Sequence, residues 1–300
     1  MHDASRRWPA YALSAPALVF YGGLLAVPLA ATLLLSLRVA DTAHATWVRL
    51  GGMNYVAVLG DPYFHVIFAR TFALAATVTL VCVLLGTWEA IILSRMRAPW
   101  RSLCLVAILA PFLISVVVRT LGWAVLLGGD GFVSRVLQAL RLADGPVVLM
   151  YSMTGMVIAL VHVLVPFVVI AVWVALQRCD PDVERAGASL GASEWWIFQR
   201  LILPQIVPGI ASGAVVVFSL AATSFATPAI IGGRRLKVVA TAIYDAFLGT
   251  MDWPQGAALA LALALLIANL AILAAWQRLG ERRGTRSHRP LPVTMEEVTP

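Results

Sequence analysis

The sequence predicts an all-α integral membrane protein with six transmembrane helices. Hydrophobic residues make up 61% of the 300 residues and charged residues only 12%, whereas soluble proteins average about 45–50% and about 25%. The mean hydropathy is +0.88. A soluble core of this size cannot enclose so much apolar surface, so most of the chain is expected to face lipid.

Six apolar stretches are long enough to be spans, because a helix needs about 20 residues to cross the hydrocarbon layer. The first stretch is about twice as long as the apolar part of a signal peptide and ends without a small-residue cleavage site, so it is predicted to remain as a span. The six stretches lie at 11–37, 71–93, 102–127, 147–176, 207–231 and 255–276.

The Lys and Arg residues favour an orientation with both termini in the cytoplasm. Thirteen of them lie in the four segments on the same side as the N-terminus, and eight lie in the three segments on the opposite side. The cluster Arg234-Arg235-Lys237 is an exception to this bias. The predicted organisation is a cytoplasmic segment at 1–10, a six-span domain at 11–279 and a disordered cytoplasmic tail at 280–300.

One cytoplasmic loop, residues 177–206, has a clear capping pattern. Asp180 followed by Pro181 is typical of a helix start, and Gly191 is predicted to end that helix. Ser193 is then expected to cap a second, aromatic-rich helix that ends at Pro204. Two short helices of this kind indicate a docking surface for a partner, and the alternative is an amphipathic segment that rests on lipid.

The second half of this loop resembles the Glu-Ala-Ala coupling loop of ATP-binding-cassette importer permeases. That motif has Glu-Ala-Ala, three residues, Gly, nine residues and Ile-x-Leu-Pro, and here Gly191 is followed by nine residues and then Leu-Ile-Leu-Pro at 201–204. The first half departs from the motif, since Arg185 stands where the family has Glu, before Ala186 and Gly187. Glu184 lies one residue early, and the alternative is that it matches the first acid of the Glu-Glu-Ala-Ala that polyamine-type members have here.

Three further stretches resemble the spermidine/putrescine-type permeases, and the resemblance covers about residues 10–280. It implies a type I importer permease architecture in the bacterial inner membrane. The stretches are Pro-Phe-Leu-Ile-Ser at 111–115 with Arg-Thr-Leu-Gly-Trp at 119–123 and the glycines at 128 and 131, then 224–233, and Asp-Trp-Pro-x-Gly-Ala at 252–257.

The resemblance also implies the partners. We expect two ATPase subunits that hold ATP and Mg²⁺, a second homologous permease, and a periplasmic or lipoprotein substrate-binding protein. The chain itself has no G-x-x-x-x-G-K-[ST] motif, so it is expected to bind no cofactor, and no nucleic acid is expected as a partner. The residues expected to dock the ATPase are Asp182, Glu184, Arg185, Ala186, Gly187, Leu190, Gly191, Leu203 and Pro204.

A polyamine is the substrate that the resemblance favours, with ferric iron, thiamine, an opine or a phosphonate as alternatives. A path for a chain of ammonium groups needs carboxylates and aromatic faces. The alternative for the aromatic members is the ordinary interfacial belt of a membrane protein. The candidates near the outer side are Trp123, Tyr151, Phe225, Tyr244, Asp245 and Asp252.

Four polar residues inside the predicted spans are assigned structural roles. Arg119 is expected to extend outward and anchor its span at the surface. His162 and Asn269 are expected to form hydrogen bonds between helices. Glu89 lies near the cytoplasmic end of the second span, too far in depth from Arg119 to pair with it.

Two other classes of protein fit the sequence less well. An ion-coupled secondary transporter needs two similar halves or buried carboxylates, and Glu89 is the only carboxylate inside a span. A membrane enzyme needs a convergent set of catalytic or metal-binding residues. The five His and three Cys residues are scattered along the chain, so no catalytic residue and no metal site is predicted, and the chain is not expected to be an enzyme.

Overall fold

The structure is a computed structural model that describes residues 8–41 and 46–286. Within those ranges the chain forms twelve α-helices, two short strands and three π-helical segments. The π-helical segments are Phe198–Ile202, Pro228–Gly232 and Asp245–Gly249. The other elements are α1 (Trp8–Ser36), β1 (Arg38–Asp41), β2 (Thr46–Leu50), α2 (Met53–Gly60), α3 (Pro62–Arg95), α4 (Ala98–Leu113), α5 (Val116–Leu127), α6 (Phe132–Ala139), α7 (Met153–Leu176), α8 (Pro181–Ser189), α9 (Glu194–Ile197), α10 (Leu203–Ala222), α11 (Val239–Tyr244) and α12 (Trp253–Arg286).

Six helical stretches in the described part of the chain are long and apolar enough to cross a membrane, which confirms the predicted number of spans. Their bounds differ from the predicted ones most clearly in the third and fifth spans. The six stretches are Ala15–Ser36, Pro62–Arg95, Val116–Ala139, Met153–Leu176, Glu194–Ala222 and Trp253–Ile272.

The predicted third span at 102–127 is not one helix. Helix α4 ends at Leu113, Ile114 adopts extended backbone angles, and α5 begins at Val116. Pro111 weakens the last turn of α4 because it has no N–H to donate to the preceding turn. The third candidate span therefore starts after this break and continues through α5 and α6.

The prediction that the second loop helix ends at Pro204 is wrong. Helix α9, the π-helical segment and α10 follow one another with helical backbone angles at both junctions. Pro204 is the second residue of α10 and directly follows the π-helical segment, so it lies inside this continuous helix and does not end it. The fifth span is helical from Glu194 and α10 stops at Ala222, before the predicted end at 231.

The C-terminal boundary also differs from the prediction. Helix α12 continues to Arg286, beyond the predicted start of a disordered tail at residue 280. No proline follows Pro254 until Pro290, so nothing in the covalent chain stops the helix earlier. Residues 1–7 and 287–300, which include most of the predicted terminal segments, lie outside the described residues.

A short antiparallel pair of strands follows the first span, which the all-α prediction did not include. In this pair β1 and β2 run antiparallel, with Arg38 opposite Leu50. The Asn54 side chain fixes the start of the hairpin by donating to the carbonyls of Ser36 and Arg38, at 2.7 and 2.8 Å. The Ser36 hydroxyl and the Tyr55 hydroxyl are 2.7 Å apart.

The chain divides into two compact units. Unit 1 comprises the described part of 1–74 together with 120–156 and 222–264. Its backbone is joined by hydrogen bonds from Leu149 to the carbonyl of Leu127 at 3.0 Å and from Tyr151 to the carbonyl of Ile231 at 2.8 Å. Its core contains large, fully buried side chains, among them Ile67, Leu127, Met156, Ile231 and Leu259.

Unit 2 comprises 75–119, 157–221 and the described part of 265–300. Helix α7 is its centre, because glycines of two neighbouring helices allow close approach to it. A Cβ at Gly86 of α3 would lie 2.9 Å from the Val168 Cβ, and one at Gly209 of α10 would lie 2.6 Å from the Ala175 Cβ. Gly209 and Gly213 form a G-x-x-x-G pattern, which brings helix backbones together in membranes.

Candidate functional site

The loop between α7 and α10 forms a pair of short helices, as the capping pattern predicts. The Asp180 carboxylate accepts a hydrogen bond from the N–H of Asp182 at 2.9 Å, and Pro181 begins α8. The Ser193 hydroxyl accepts one from the N–H of Trp196 at the start of α9. Gly191 joins the two helices with φ +78, a left-handed conformation that glycine adopts without a steric penalty.

Helix α8 packs directly on the helix that follows it. Gly187 is buried, and a Cβ at this position would lie 3.1 Å from the Leu201 Cδ1 and 3.2 Å from the Ile197 Cγ1. The Ile197 side chain is itself only 4% exposed. The family motif has alanine at this position. The glycine here lets α8 lie closer to Ile197 and Leu201 than the methyl group of an alanine would easily allow.

The opposite side of α8 is an exposed surface with both apolar and ionic groups. Leu190 is 87% exposed at the end of the helix, next to Gly191. Arg185 and Asp182 form an exposed ion pair at 3.0 Å. The exposed side of α8 therefore combines one large apolar side chain with an ion pair.

Two contacts join this helix pair to α3, and the sequence analysis predicted neither. The Glu184 carboxylate lies 3.3 Å from the Arg95 guanidinium at the end of α3. The Trp88 and Phe198 rings are stacked, with centroids 6.5 Å apart and planes 21° apart. Arg95 and Trp88 are 89 and 110 residues from their partners along the chain, so no local pattern relates them.

The predicted docking residues thus form one small structure. Asp182 to Gly191 make up α8 and its terminal turn, while Leu203 and Pro204 lie in the first turn of α10. Pro204 is exposed and Leu203 half-buried. Glu184 differs from Asp182 and Arg185, which pair with each other within α8, because its partner Arg95 lies on α3.

The candidates for the substrate path all lie in unit 1, and two of them are in direct contact. The Phe225 and Tyr244 rings are 4.8 Å apart at a 32° tilt. Tyr151 has a φ of +59, and its ring lies 2.9 Å from the position that a Cβ at Gly233 would take. The glycine therefore makes room for the tyrosine ring.

Both candidate carboxylates have intramolecular partners. The Asp245 carboxylate accepts from the Lys237 ammonium at 2.6 Å. This hydrogen bond raises the pKa of Lys237 above its usual value. Asp252 caps α12 by accepting from the N–H of Gln255 at 3.1 Å. The pairing with Asp245 also gives Lys237, one member of the exceptional basic cluster, a defined role.

Two predictions about polar residues in the spans are wrong. Arg119 does not extend outward, because its Nη1 donates to the carbonyl of Pro111 at the end of α4. Its Nε is buried and has no hydrogen-bond partner. Asn269 donates to the carbonyl of Leu265 in its own helix, at 2.7 Å, and not to a neighbouring helix. The interhelical bond of His162 stays a prediction.

No metal centre is found in the described ranges 8–41 and 46–286, where no three His, Cys, Asp or Glu residues are grouped so that they could hold an ion. Cys82 is buried, Cys104 and Cys179 are half-buried, and all three are free thiols.

Comparison with known proteins identifies clear relatives. Residues 100–284 match the family described as "Binding-protein-dependent transport system inner membrane component". The spermidine/putrescine transport system permease protein PotB of Escherichia coli K12 is 30% identical over 224 residues, which are 75% of this chain and 81% of that protein. The molybdenum transport system permease protein ModB of Mycobacterium bovis is 27% identical over 235 residues, 78% and 87% of the two chains.

Solved structures share the fold. A chain of a bacterial ABC transporter that imports the acidic polysaccharide alginate superposes with a TM-score of 0.71, at 18% identity, over 92% of this chain and 96% of that chain. A second structure of the alginate transporter, in complex with a periplasmic protein bound to an alginate pentasaccharide, superposes with a TM-score of 0.69 over 91% and 94%.

Proposed function

We infer what this chain transports from one premise: it belongs to the family of binding-protein-dependent transport system inner membrane components and is a permease subunit of an ATP-binding-cassette importer. We propose that it forms half of the path by which a polyamine, spermidine or putrescine, enters a bacterial cell across the inner membrane. The observation that carries the proposal is the 30% identity to PotB over three quarters of the chain.

The aromatic pair Phe225–Tyr244 supports a cationic substrate, since the faces of aromatic rings attract ammonium groups. Asp245 is adjacent to Tyr244 and is 45% exposed although it is paired with Lys237. Phe225, Tyr244 and Asp245, together with Trp123, Tyr151 and Asp252, are the residues proposed to contribute to the path.

A separate ATPase is proposed to bind the exposed surface of α8. The apolar Leu190 beside the Gly191 turn supports this assignment because a cavity on a partner can take up such a side chain. The ATPase would hold ATP and Mg²⁺, and the permease would convert its closure into alternating access. The chain itself is proposed to catalyse no reaction.

The remaining partners follow from the same proposal. Six spans are proposed to pair with a second homologous permease, and two ATPase subunits are proposed to bind one to each half. A substrate-binding protein would deliver the polyamine on the outer side, and both termini would lie in the cytoplasm. The alginate transporter crystallised with its periplasmic protein supports the expectation of a binding-protein partner.

The substrate is tested by calorimetry on the binding protein that is encoded with this permease. Micromolar or tighter binding of spermidine or putrescine, with ATP-driven uptake of the same polyamine in proteoliposomes, is the expected result. Binding of molybdate or another anion, with no polyamine binding, would reassign the importer to that solute. Uptake that is driven by an ion gradient without ATP would exclude the importer mechanism.

A further inference from the structure

We propose that Glu184 and Arg95 form a positioning pair that ties α8 to the second span, so that a displacement of α8 reaches α3 as well as α10. This inference rests on the proposed function, in which α8 is the element that the ATPase moves. The chain then has two mechanical connections from the docking surface: the continuous helix into the fifth span, and the side-chain contacts with the second.

The first contact to α3 is ionic. Arg95 is the last residue of α3, and its Nη2 lies 3.3 Å from the Glu184 Oε1. The two side chains are 54% and 51% exposed. An ion pair so exposed adds little to the stability of the fold. Its effect is therefore expected in the orientation of α8 and in coupling, while folding is left intact.

The second contact to α3 is aromatic, and it lies on the same face of the helix. Trp88 precedes Arg95 by seven residues, which is two helical turns, so both side chains project to the same side. The Trp88 ring stacks on Phe198, and Phe198 also packs against Trp195 at 5.8 Å between centroids. One face of α3 thus contacts both α8 and the helix that follows it.

The helix pair is closely packed, as a transmitting element must be. Gly187 is buried against Ile197 and Leu201, so α8 is expected to move together with α9 and the π-helical segment. This segment continues without a break into α10. A push on α8 is consequently passed along α10 through the backbone and to α3 through Glu184 and Phe198.

The two ion pairs also show which position of α8 faces the end of α3. Consecutive residues of a helix point about 100° apart, so an acid at position 185 would not face Arg95 as Glu184 does. The side chain at 185 instead turns to Asp182 and is 78% exposed. Glu184, and not the side chain at 185, is therefore the residue that pairs with the end of α3.

The experiment uses the importer complex in proteoliposomes and compares Arg95→Gln and Glu184→Gln with the control Arg97→Gln. Arg97 is exposed and lies two residues after Arg95, directly before α4. Uptake per ATP hydrolysed is expected to fall about fivefold in both test variants, and to stay within about twofold of wild type in the control. Co-purification of the ATPase is expected to be retained in Arg95→Gln, because Arg95 is not one of the docking residues. The charge exchange Arg95→Glu with Glu184→Arg is expected to restore most of the lost coupling.

A second measurement separates this inference from the proposed function. Amide hydrogen exchange of residues 181–191 in the full chain in nanodiscs requires neither substrate nor ATPase. Exchange is expected to accelerate about fivefold in Arg95→Gln but not in Arg97→Gln. If the wild-type complex shows no ATP-driven uptake, the proposed function fails. The hydrogen-exchange measurement still tests whether Arg95 and Glu184 hold α8 in place. Unchanged exchange in Arg95→Gln, or a charge exchange as defective as the single variants, overturns the pairing.

Discussion

The Arg119 side chain forms a hydrogen bond across the break between α4 and α5. The interruption after Leu113 leaves the last carbonyls of α4 without partners in their own helix. An unpaired carbonyl is costly where no water is available. Arg119, in the first turn of α5, donates to the carbonyl of Pro111 and so joins the two helices across the break.

Replacement of this cap is predicted to destabilise the protein. Arg119→Gln loses a charged donor at the end of α4, and such hydrogen bonds contribute about 1.5–3 kcal/mol. We expect a lower thermal unfolding midpoint in detergent. The control is Arg135→Gln, which removes an exposed arginine on α6. Equal midpoints for the two variants would show that Arg119 does not hold the break together.

The Lys237–Asp245 pair has a predictable pH dependence. Its hydrogen bond raises the pKa of Lys237 in the folded protein, so folding favours the protonated ammonium. The stabilisation is present below the usual lysine pKa of about 10.4 and is lost as the pH rises through the raised value. The difference in unfolding midpoint between wild type and Lys237→Met is therefore expected to be constant below about pH 10 and to shrink as the pH rises further.

The matching control for this titration is Arg235→Met, which removes an exposed cation two residues away. The unfolding midpoint of Arg235→Met should differ from that of wild type by a small and constant amount over the same pH range. A Lys237→Met difference that grows with pH would contradict the assigned direction of the pKa shift.

At the scale of elements, the contact between α10 and α7 depends on the absence of side chains. A Cβ at Gly209 would approach the Ala175 Cβ to 2.6 Å and the Ala171 carbonyl to 2.9 Å. Gly209→Leu is therefore expected to separate the helices and to cost about 1–3 kcal/mol or more.

Gly122→Leu is the matched control, because a Cβ at Gly122 of α5 meets nothing within 4 Å. Thermal unfolding and the yield of folded protein in detergent measure both variants. Similar losses in the two would mean that leucine itself, and not the close approach of α10 to α7, is responsible.

The sequence predicted those elements whose causes are local. Asp180, Ser193 and Gly191 act on their own helix ends, and the structure confirms the two caps and the left-handed turn. The break after Leu113 follows Pro111, but prolines also lie inside the unbroken helices α1 and α7, so a proline alone does not predict a break. The continuation through Pro204 coincides with a π-helical segment, for which the sequence has no simple signal.

The candidate site was predictable to the same extent. The docking residues were found because they lie together in one loop. The partner of Glu184 was not found, since Arg95 meets it only after the chain has folded. Similarly, the candidate Asp245 could be nominated from its residue type, but its neutralisation by Lys237 could not.

At the scale of the whole molecule, the positive-inside bias predicts that the α8 loop is cytoplasmic. It also predicts that residues 140–146, which follow the third candidate span, are outside. Single cysteines at Ser189 and Asp144, both exposed, report on the two sides in a background without the three native cysteines. A membrane-impermeant maleimide is expected to label position 144 in intact cells and position 189 only after lysis. The opposite pattern would reverse the orientation.

The central claim is that the α8 turn receives a separate ATPase, and Gly191→Asp tests it most directly. A side chain there strains a left-handed position by about 1–2 kcal/mol. It also projects into open space, where a partner would lie. Gly52→Asp adds the same side chain at another open glycine. The measurement is the amount of ATPase that co-purifies with each permease. This ratio is expected to fall at least about tenfold in Gly191→Asp and to stay at the wild-type value in Gly52→Asp. A wild-type ratio in Gly191→Asp would contradict the account.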